Sequence, residues 1–258
     1  MFHNRRAVVS TLLLAPLLCS GVIAGGVAAA QSSPVAGTPY APEIDPANFV
    51  SRVDNRYWPL IPGTTFVYEG TSDGESEHNE VAVTTETKTI FGVRCVEVRD
   101  TVSVEGELTE ETLDWYAQDK DGNVWYFGED SKSYENGKVA STEGSWEAGV
   151  DGAQPGIIMP AEPKVGDEYR QEYYAGEAED MAAVLQLGGS VTVPYGTFDD
   201  VLVTKEWSPL EPDVVEHKTY APGVGLILAE SVQGEQERLE LVDVRGQGTG
   251  TPVATPAS

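Results

Sequence analysis

The sequence predicts an all-β fold, an antiparallel meander with at most one short helix. Apolar and polar residues alternate with a period of two along most of the chain, and β-branched and aromatic side chains dominate these runs. Dipeptides that suit tight hairpin turns recur at Asp73-Gly74, Asp121-Gly122 and Asn136-Gly137. Segments with the ~3.6-residue period of an α-helix are almost absent.

The chain begins with the features of a secretory signal peptide at residues 1–30. Arg5-Arg6 precede an apolar run, and small residues at 27–30 suit a cleavage site. We therefore expect an exported protein, extracellular, periplasmic or in the cell envelope, and the arginine pair suggests the twin-arginine route. The apolar run falls short of the ~20 residues of a membrane span, so we expect no transmembrane segment in the mature chain. Cys19 leaves a lipid anchor open, although Leu18 stands where a lipoprotein signal normally has a small residue.

Composition divides the remainder into three parts. Residues 31–47 form a Pro- and Ser-rich leader, and residues 246–258 form a tail of similar character that we expect to be disordered. Residues 48–245 contain no linker-like stretch, so we predict a single β-rich domain there.

Predicted strands fill both halves of this domain. The segment 143–166, rich in Gly and Pro, separates the halves and is predicted to be irregular, with its apolar residues packed on the sheet. The predicted strands are 64–70, 80–89, 93–104, 108–118 and 123–127 in the first half, and 168–175, 190–193, 201–207, 214–221, 226–232 and 239–244 in the second.

The segment 176–187 fits two kinds of secondary structure. Its acidic start and the i, i+4 pair Met181 and Leu185 suit a helix. The same residues, with Ala183 and Leu187 between and after them, also alternate as a strand would. The sequence leaves helix or strand open here and slightly favours the strand.

The charge balance excludes some partners. Sixteen Lys and Arg stand against 42 Asp and Glu, for a net charge of −26. Nucleic acids and anionic membranes bind to basic surfaces, so neither is an expected partner. The acidic residues can serve solubility alone, or some of them can form a dedicated cation site.

Cysteine usage predicts a core that holds together without a disulfide. Once a signal containing Cys19 is removed, Cys95 has no partner in the chain. It alternates with Val93 and Phe91 on one face of a predicted strand, which indicates a buried and unreactive thiol.

Two motifs in the second half carry a resemblance. They are VTVPYGTF at residues 191–198 and YAPGVGL at residues 220–226. With the aromatic strand at 64–68 and the hairpin at 115–126, the sequence resembles an uncharacterised group of secreted or lipoprotein-like, β-rich bacterial proteins. The resemblance covers residues 57–244 and implies an antiparallel curved sheet or half-barrel. It supplies no catalytic residues, and both motifs are typical of turns.

The turn that starts at Asp119 is the first candidate for a binding site. Asp119, Asp121 and Asn123 place oxygen ligands at the first, third and fifth positions of a calcium loop, and Asp130 falls at the twelfth. The match is partial, because Val124 stands where such a loop needs Gly. A plain hairpin turn explains the same residues, so calcium binding and a simple turn both remain open.

The second candidate is a polar site formed by an acidic group with His217, and Glu179 and Asp180 are its central residues. The acidic group is Glu172, Glu177, Glu179 and Asp180. Carboxylates with a histidine can bind a transition metal or act in hydrolysis. The default interpretation is a partly buried, hydrogen-bonded histidine, because His217 lies in a predicted strand without closely spaced ligands. The chain also lacks the G-x-S-x-G motif of a serine nucleophile.

These observations favour a non-enzymatic envelope or extracellular binding protein. Its curved sheet would hold a small apolar ligand, a lipid or a segment of an envelope partner. The first alternative is a calcium-stabilised binding module, with calcium as its only expected cofactor. The second is a hydrolase that uses the carboxylates and His217 near the 143–166 segment.

Overall fold

The computed structural model describes residues 40–234 and 236–246 of the chain. The predicted signal peptide with Cys19, the first part of the leader and the tail after residue 246 lie outside the described residues. No helix within the described part is long and apolar enough to cross a membrane.

The described residues are almost entirely β-structure, as the sequence predicts. A 3-10 turn at Pro46–Asn48 is followed by the strands β1 (Val53–Asp54), β2 (Pro59–Leu60), β3 (Thr64–Ser72), β4 (Glu75–Ile90), β5 (Val93–Val104), β6 (Glu107–Gln118), β7 (Val124–Glu135), β8 (Lys138–Ser141), β9 (Trp146–Glu147), β10 (Gln154–Met159), β11 (Glu168–Arg170), β12 (Glu172–Tyr173), β13 (Met181–Leu187), β14 (Ser190–Val193), β15 (Gly196–Asp199), β16 (Leu202–Ser208), β17 (Glu211–Ala221), β18 (Gly225–Gln233) and β19 (Glu237–Gly246).

One large antiparallel sheet of 15 strands dominates the fold. Its order is β11-β13-β16-β17-β18-β19-β3-β4-β5-β6-β7-β10-β12, with β8 and β9 also paired to β7. Only Gln171 separates β11 from β12, and these two strands pair with opposite ends of the order, β11 with β13 and β12 with β10. The sheet therefore curves into a nearly closed, barrel-like shape, which confirms the predicted curved antiparallel fold.

Two of the three predicted hairpin dipeptides form tight turns of the predicted kind, whereas at Asp121-Gly122 only the Gly has a positive φ. Asp73 and Asn136 have φ of 48° and 52°, and each precedes a Gly with positive φ, as a type I′ hairpin requires. Phe91 and Glu105 adopt the same conformation before Gly92 and Gly106, although their side chains do not favour it. Phe91 thus lies in a turn and is exposed, so the prediction that it shares a strand face with Cys95 is wrong.

Two other segments differ from, or settle, the sequence expectations. The 143–166 segment is not wholly irregular, because it contains β9 and β10, which both pair with β7. Its apolar residues Trp146, Ile158 and Met159 are buried, as predicted. The ambiguous segment 176–187 contains the strand β13 and no helix, as the alternation slightly favoured.

The motifs that carry the resemblance are turns, and the cysteine is buried. Residues 191–198 form the β14–β15 hairpin, in which Phe198 is buried and stacks with Tyr195. Residues 220–226 form the turn from β17 to β18. Cys95 is 0% exposed, so the predicted buried thiol is confirmed.

Candidate functional site

The interior of the barrel is strongly acidic. Lys218 is the one basic residue among the buried residues of the described ranges. The charge of Asp100 acts on Asp114, and the charge of Asp114 acts on Glu172. These acidic side chains therefore lie in the same interior. The eight buried acidic residues in the described ranges are Glu77, Asp100, Glu110, Asp114, Glu172, Asp180, Glu206 and Glu216.

A cavity of about 70 Å³ opens in one part of this interior, and we call it the Trp58 cavity. Most of its wall is aromatic or aliphatic, and Asp100, Asp114 and Lys218 supply the charged groups. The full lining is Trp58, Pro59, Leu60, Phe66, Tyr68, Val81, Val98, Asp100, Asp114, Tyr116, Lys218, Tyr220, Val224, Gly225 and Leu226.

Ring contacts hold the aromatic side chains of this cavity against one another. Trp58, which follows β1, packs edge-on against Tyr116 at 5.6 Å between ring centroids and lies 5.8 Å from Tyr220. Tyr116 in turn stacks on Tyr126 at 4.8 Å. Such contacts fix the rings at short range, so the cavity wall is organised before any ligand arrives.

The two carboxyl groups in the wall are buried beside polar neighbours. Asp100 accepts a hydrogen bond from Asn79 Nδ2, and Asp114 accepts one from the Tyr126 hydroxyl at 2.7 Å. Burial raises the pKa of Asp100 to about 7, although the hydrogen bond from Asn79 opposes the shift. Burial and then the charge of Asp100 raise the pKa of Asp114 well above its usual range.

Lys218 forms a buried ion-pair group with Glu206 and Glu216, which we call the Lys218 triad. Lys218 Nζ lies 3.0 Å from Glu206 Oε2 and 3.4 Å from Glu216 Oε2. The Tyr220 hydroxyl also donates to Glu206 Oε1 at 2.8 Å. These carboxylates outweigh burial and raise the pKa of Lys218, so its ammonium stays charged.

A second group of carboxyls, the Glu172 cluster, consists of Glu129, Glu172 and Asp180. Trp146 Nε1 donates to Glu172 Oε2 at 2.9 Å. Burial and then the charge of Asp180 raise the pKa of Glu172, and burial raises the pKa of Asp180 to about 7. The cavity beside this cluster measures only about 10 Å³, which is the space of a single water molecule.

The predicted calcium residues do not all come together. Asp119 accepts hydrogen bonds from the Asn123 backbone, the Asn123 side chain and Trp125 Nε1 at 2.8–2.9 Å. Asp121 is exposed in the turn. Asp130 pairs with Leu113 of β6. It lies six residues after Val124, where β7 begins, which corresponds to roughly 20 Å along the strand. Within the described residues, no group of three or more His, Cys, Asp or Glu side chains could hold a metal ion. Calcium binding stays a prediction.

The predicted polar site is divided between the two faces of the sheet. Asp180 is buried in the interior, where Ser208 hydrogen-bonds to it. Glu179 accepts from the Gly176 backbone N–H at 2.9 Å near the surface. His217 alternates with the inward-facing Glu216 and Lys218 and so points to the outer face. A joint role of these residues in hydrolysis remains a prediction.

Sequence reasoning missed the carboxyls of the Trp58 cavity, although a signal for them exists. Asp100 has the same alternation phase as Val98 and Val102, and Asp114 has that of Tyr116. An acidic residue on the apolar phase of a strand faces the interior. The position of an acidic residue in the strand alternation therefore predicts whether it faces the interior, whereas clustering of acidic residues in the sequence does not.

Comparison with known proteins gives two weak similarities. No protein-family model matches the chain, and no curated protein matches it significantly. A protein from Bacteroides fragilis NCTC 9343, described as exported and with a YmcC-like fold, has 16% identity and a TM-score of 0.43. A protein from Parabacteroides distasonis ATCC 8503, described as a lipoprotein, has 16% identity and a TM-score of 0.41. Each comparison covers 74% of this chain and 99% of the other, and neither transfers a function.

Proposed function

We propose that the chain is an exported, non-enzymatic binding protein that takes one end of a small, predominantly apolar ligand into the Trp58 cavity. The observation that carries the proposal is the cavity itself. It is enclosed mainly by aromatic and aliphatic side chains, with a small number of polar groups at defined positions. This combination is typical of small-molecule sites. The signal-like residues 1–30 support export.

The cavity volume limits what can enter. At about 70 Å³ it is smaller than the roughly 150 Å³ cavity that holds a benzene molecule in an engineered protein. A short terminal group fits, whereas a whole acyl chain does not. Trp58 and Leu226 line the cavity and are only partly buried, so the remainder of a ligand can extend past them towards solvent.

The proposal is tested by filling the cavity. Val81 lines it and is partly buried, and Val81→Phe adds a ring to the space that the ligand would use. Binding of octanol to the purified full chain is measured by isothermal titration calorimetry. We expect wild-type binding and at least about a tenfold loss in Val81→Phe, because that factor corresponds to about 1.4 kcal/mol.

Val203→Phe is the matched control. Val203 is also partly buried on a central strand and packs against the core, but it does not line the Trp58 cavity. The control should bind octanol as the wild type does, provided that both variants keep the wild-type circular dichroism spectrum. Equal losses in both variants would contradict the proposal, as would a wild type that binds neither octanol nor an eight-carbon ligand with a charged head group.

A further inference from the structure

The charged groups of the Trp58 cavity differ in whether they form ion pairs with the protein. Lys218 is held by the two carboxylates of its triad at 3.0 and 3.4 Å. Asp100 and Asp114 have only neutral donors among their side-chain hydrogen bonds, an amide and a phenol. Among the described residues no cation forms an ion pair with Asp100 or Asp114, although the charge of Lys218 acts on Asp100. A ligand group that approaches the wall of the cavity therefore meets carboxyls without a direct ionic partner there.

Hydrogen-bond acceptors next to these carboxyls also lack donors. Asn79, which is 0% exposed and donates to Asp100, has no hydrogen-bond partner for its Oδ1 among the described residues. Both carboxyl oxygens of Glu77, also 0% exposed, have none either. Buried acceptors without donors are costly. Neither Asn79 nor Glu77 lines the Trp58 cavity, so these acceptors describe the surroundings of Asp100 and are not contacts of the ligand.

We propose that the ligand's end group is a primary ammonium that binds between Asp100 and Asp114, so that the ligand class is an alkyl or aryl amine. This inference rests on the proposed function and names the chemistry of the same site. A primary ammonium supplies a positive charge and three N–H donors from one compact group. Those properties match the carboxyl wall and fit a cavity of about 70 Å³.

The aromatic wall suits the same group. The rings of Tyr68, Tyr116 and Tyr220 line the cavity together with Trp58. The face of an aromatic ring attracts a cation within about 6 Å, and the attraction strengthens when water is excluded. A ligand with a carboxylate end group would be repelled, because the described ranges bury eight acidic residues in this interior. The one buried lysine there is already paired with Glu206.

Binding should release protons and tighten as the pH rises. Burial raises the pKa of Asp100 to about 7 and the pKa of Asp114 well above its usual range, and an ammonium next to them would lower both pKa values. An alkylammonium keeps its own proton throughout this range. The other titratable groups that line the cavity or interact electrostatically with this pair are Tyr68, Glu77, Glu110, Tyr116, Tyr126, Glu129, Glu172, Lys218 and Tyr220.

The test is a head-group series on one carbon chain. Octylammonium, octanol and octanoate are titrated into the purified full chain below their micelle concentrations, at about pH 6 and about pH 9. We expect octylammonium to bind at least about tenfold more tightly than octanol at the higher pH, and octanoate to bind most weakly. The octylammonium enthalpy should also depend on the buffer, because protons are released.

Three variants locate the effect. Asp100→Asn and Asp114→Asn should each lose most of the preference for octylammonium over octanol while octanol still binds. Asp180→Asn, in the Glu172 cluster, should keep the wild-type preference. Asn accepts the same hydrogen bonds from Asn79 or Tyr126, so folding is preserved and is checked by circular dichroism.

The outcomes separate the two proposals. If octanol binds in the cavity but octylammonium binds no more tightly, or octanoate binds best, the ammonium proposal is overturned and the proposed function stands. If none of the three binds, the proposed function fails and the ammonium proposal fails with it. A preference for octylammonium that both Asn variants retain also overturns the ammonium proposal.

Discussion

The Trp58 cavity and the Glu172 cluster contain the same chemical group in different surroundings. Each has buried carboxyls with a raised pKa and a tryptophan at its edge. The cavity at Trp58 measures about 70 Å³, whereas the one at Glu172 measures about 10 Å³. At Glu172 the indole N–H of Trp146 satisfies a carboxyl, and the indole N–H of Trp58 has no hydrogen-bond partner among the described residues.

This difference shows what distinguishes a binding site from a packed polar core. Raised pKa values occur in both regions, so they do not identify the site by themselves. What separates the two regions is space, which is present at the Trp58 cavity and nearly absent at the Glu172 cluster. The Lys218 triad influences both regions, because the charge of Lys218 lowers the pKa of Asp100 and of Asp180.

The largest effect is expected from Lys218→Met, which disturbs both regions at once. The change leaves Glu206 and Glu216 buried without their cation. We expect the free energy of unfolding to fall by about 3–5 kcal/mol near neutral pH, as for other buried charges that lose a partner. Urea unfolding of the full chain measures this loss.

Lys132→Met is the control for that measurement. Lys132 pairs with Asp130 at 2.8 Å, but both side chains are partly exposed. The expected loss is about 0–1 kcal/mol, because water screens such a pair. If the two variants lost the same stability, the Lys218 triad would not support the interior.

The next effect concerns pH. A buried carboxyl whose pKa is raised stabilises the fold fully below its unfolded pKa of about 4, and loses that contribution as the pH rises through the folded value. Burial raises the pKa of Asp100 and Asp180 to about 7 and that of Glu77 to about 8. The free energy of unfolding should therefore fall between about pH 4 and about pH 8.

Asp100→Asn and Asp180→Asn compare the two regions under this test. Each change removes a charge that ionises near neutral pH, so each should recover about 2–4 kcal/mol of stability at high pH and little at low pH. Glu86→Gln, at an exposed position, should retain the wild-type pH profile. Only Asp100→Asn should also alter the preference for octylammonium. A wild-type profile in both Asn variants would show that these carboxyls titrate normally.

The two tryptophans give a smaller and more local comparison. Trp146→Phe leaves Glu172 Oε2 without its donor, so we expect a loss of about 1–3 kcal/mol in urea unfolding. Trp58→Phe removes an N–H without a hydrogen-bond partner among the described residues and should lose less than about 1 kcal/mol. If Trp58→Phe were as costly as Trp146→Phe, the two indoles would be equally well bonded.

The strands could be predicted from the sequence because their pattern is local. Alternation and Gly-containing turns give most strand positions, and the predicted 93–104 coincides with β5. Closure of the sheet could not be predicted, because β12 pairs with β10 and β11 with β13 through contacts that no local pattern encodes. Phe91 lies in a turn because Gly92 and the register between β4 and β5 override its own preference.

The candidate site was only partly visible in the sequence. Asp180 was among the predicted polar residues, but its proximity in sequence to Glu179 concealed that Asp180 is buried whereas Glu179 is partly exposed. Asp100 and Asp114 follow the apolar alternation phase, and their meeting in one cavity depends on the register between β5 and β6. Phase can be predicted from the sequence, whereas register and cavity volume require the fold.

The hairpin turn at Asp119 provides the smallest expected effect and a reference outside both regions. Asp119→Ala removes an acceptor of three hydrogen bonds in the turn, so we expect a loss of about 1 kcal/mol. Asp121→Ala, at an exposed position in the same turn, should stay within about 0.5 kcal/mol of the wild type. Neither change should alter octanol binding.

Thermal melts of these two variants in calcium and in chelator also test the calcium interpretation. If the turn is a plain hairpin, calcium should not change the melting temperature of the wild type or of either variant. A calcium loop predicts a shift in the wild type that both variants lose, because Asp119 and Asp121 would both be ligands. If Asp119→Ala loses stability, Asp121→Ala does not, and calcium shifts no melting temperature, then the Asp119 carboxylate stabilises the hairpin turn and binds no ion. It already accepts three hydrogen bonds there.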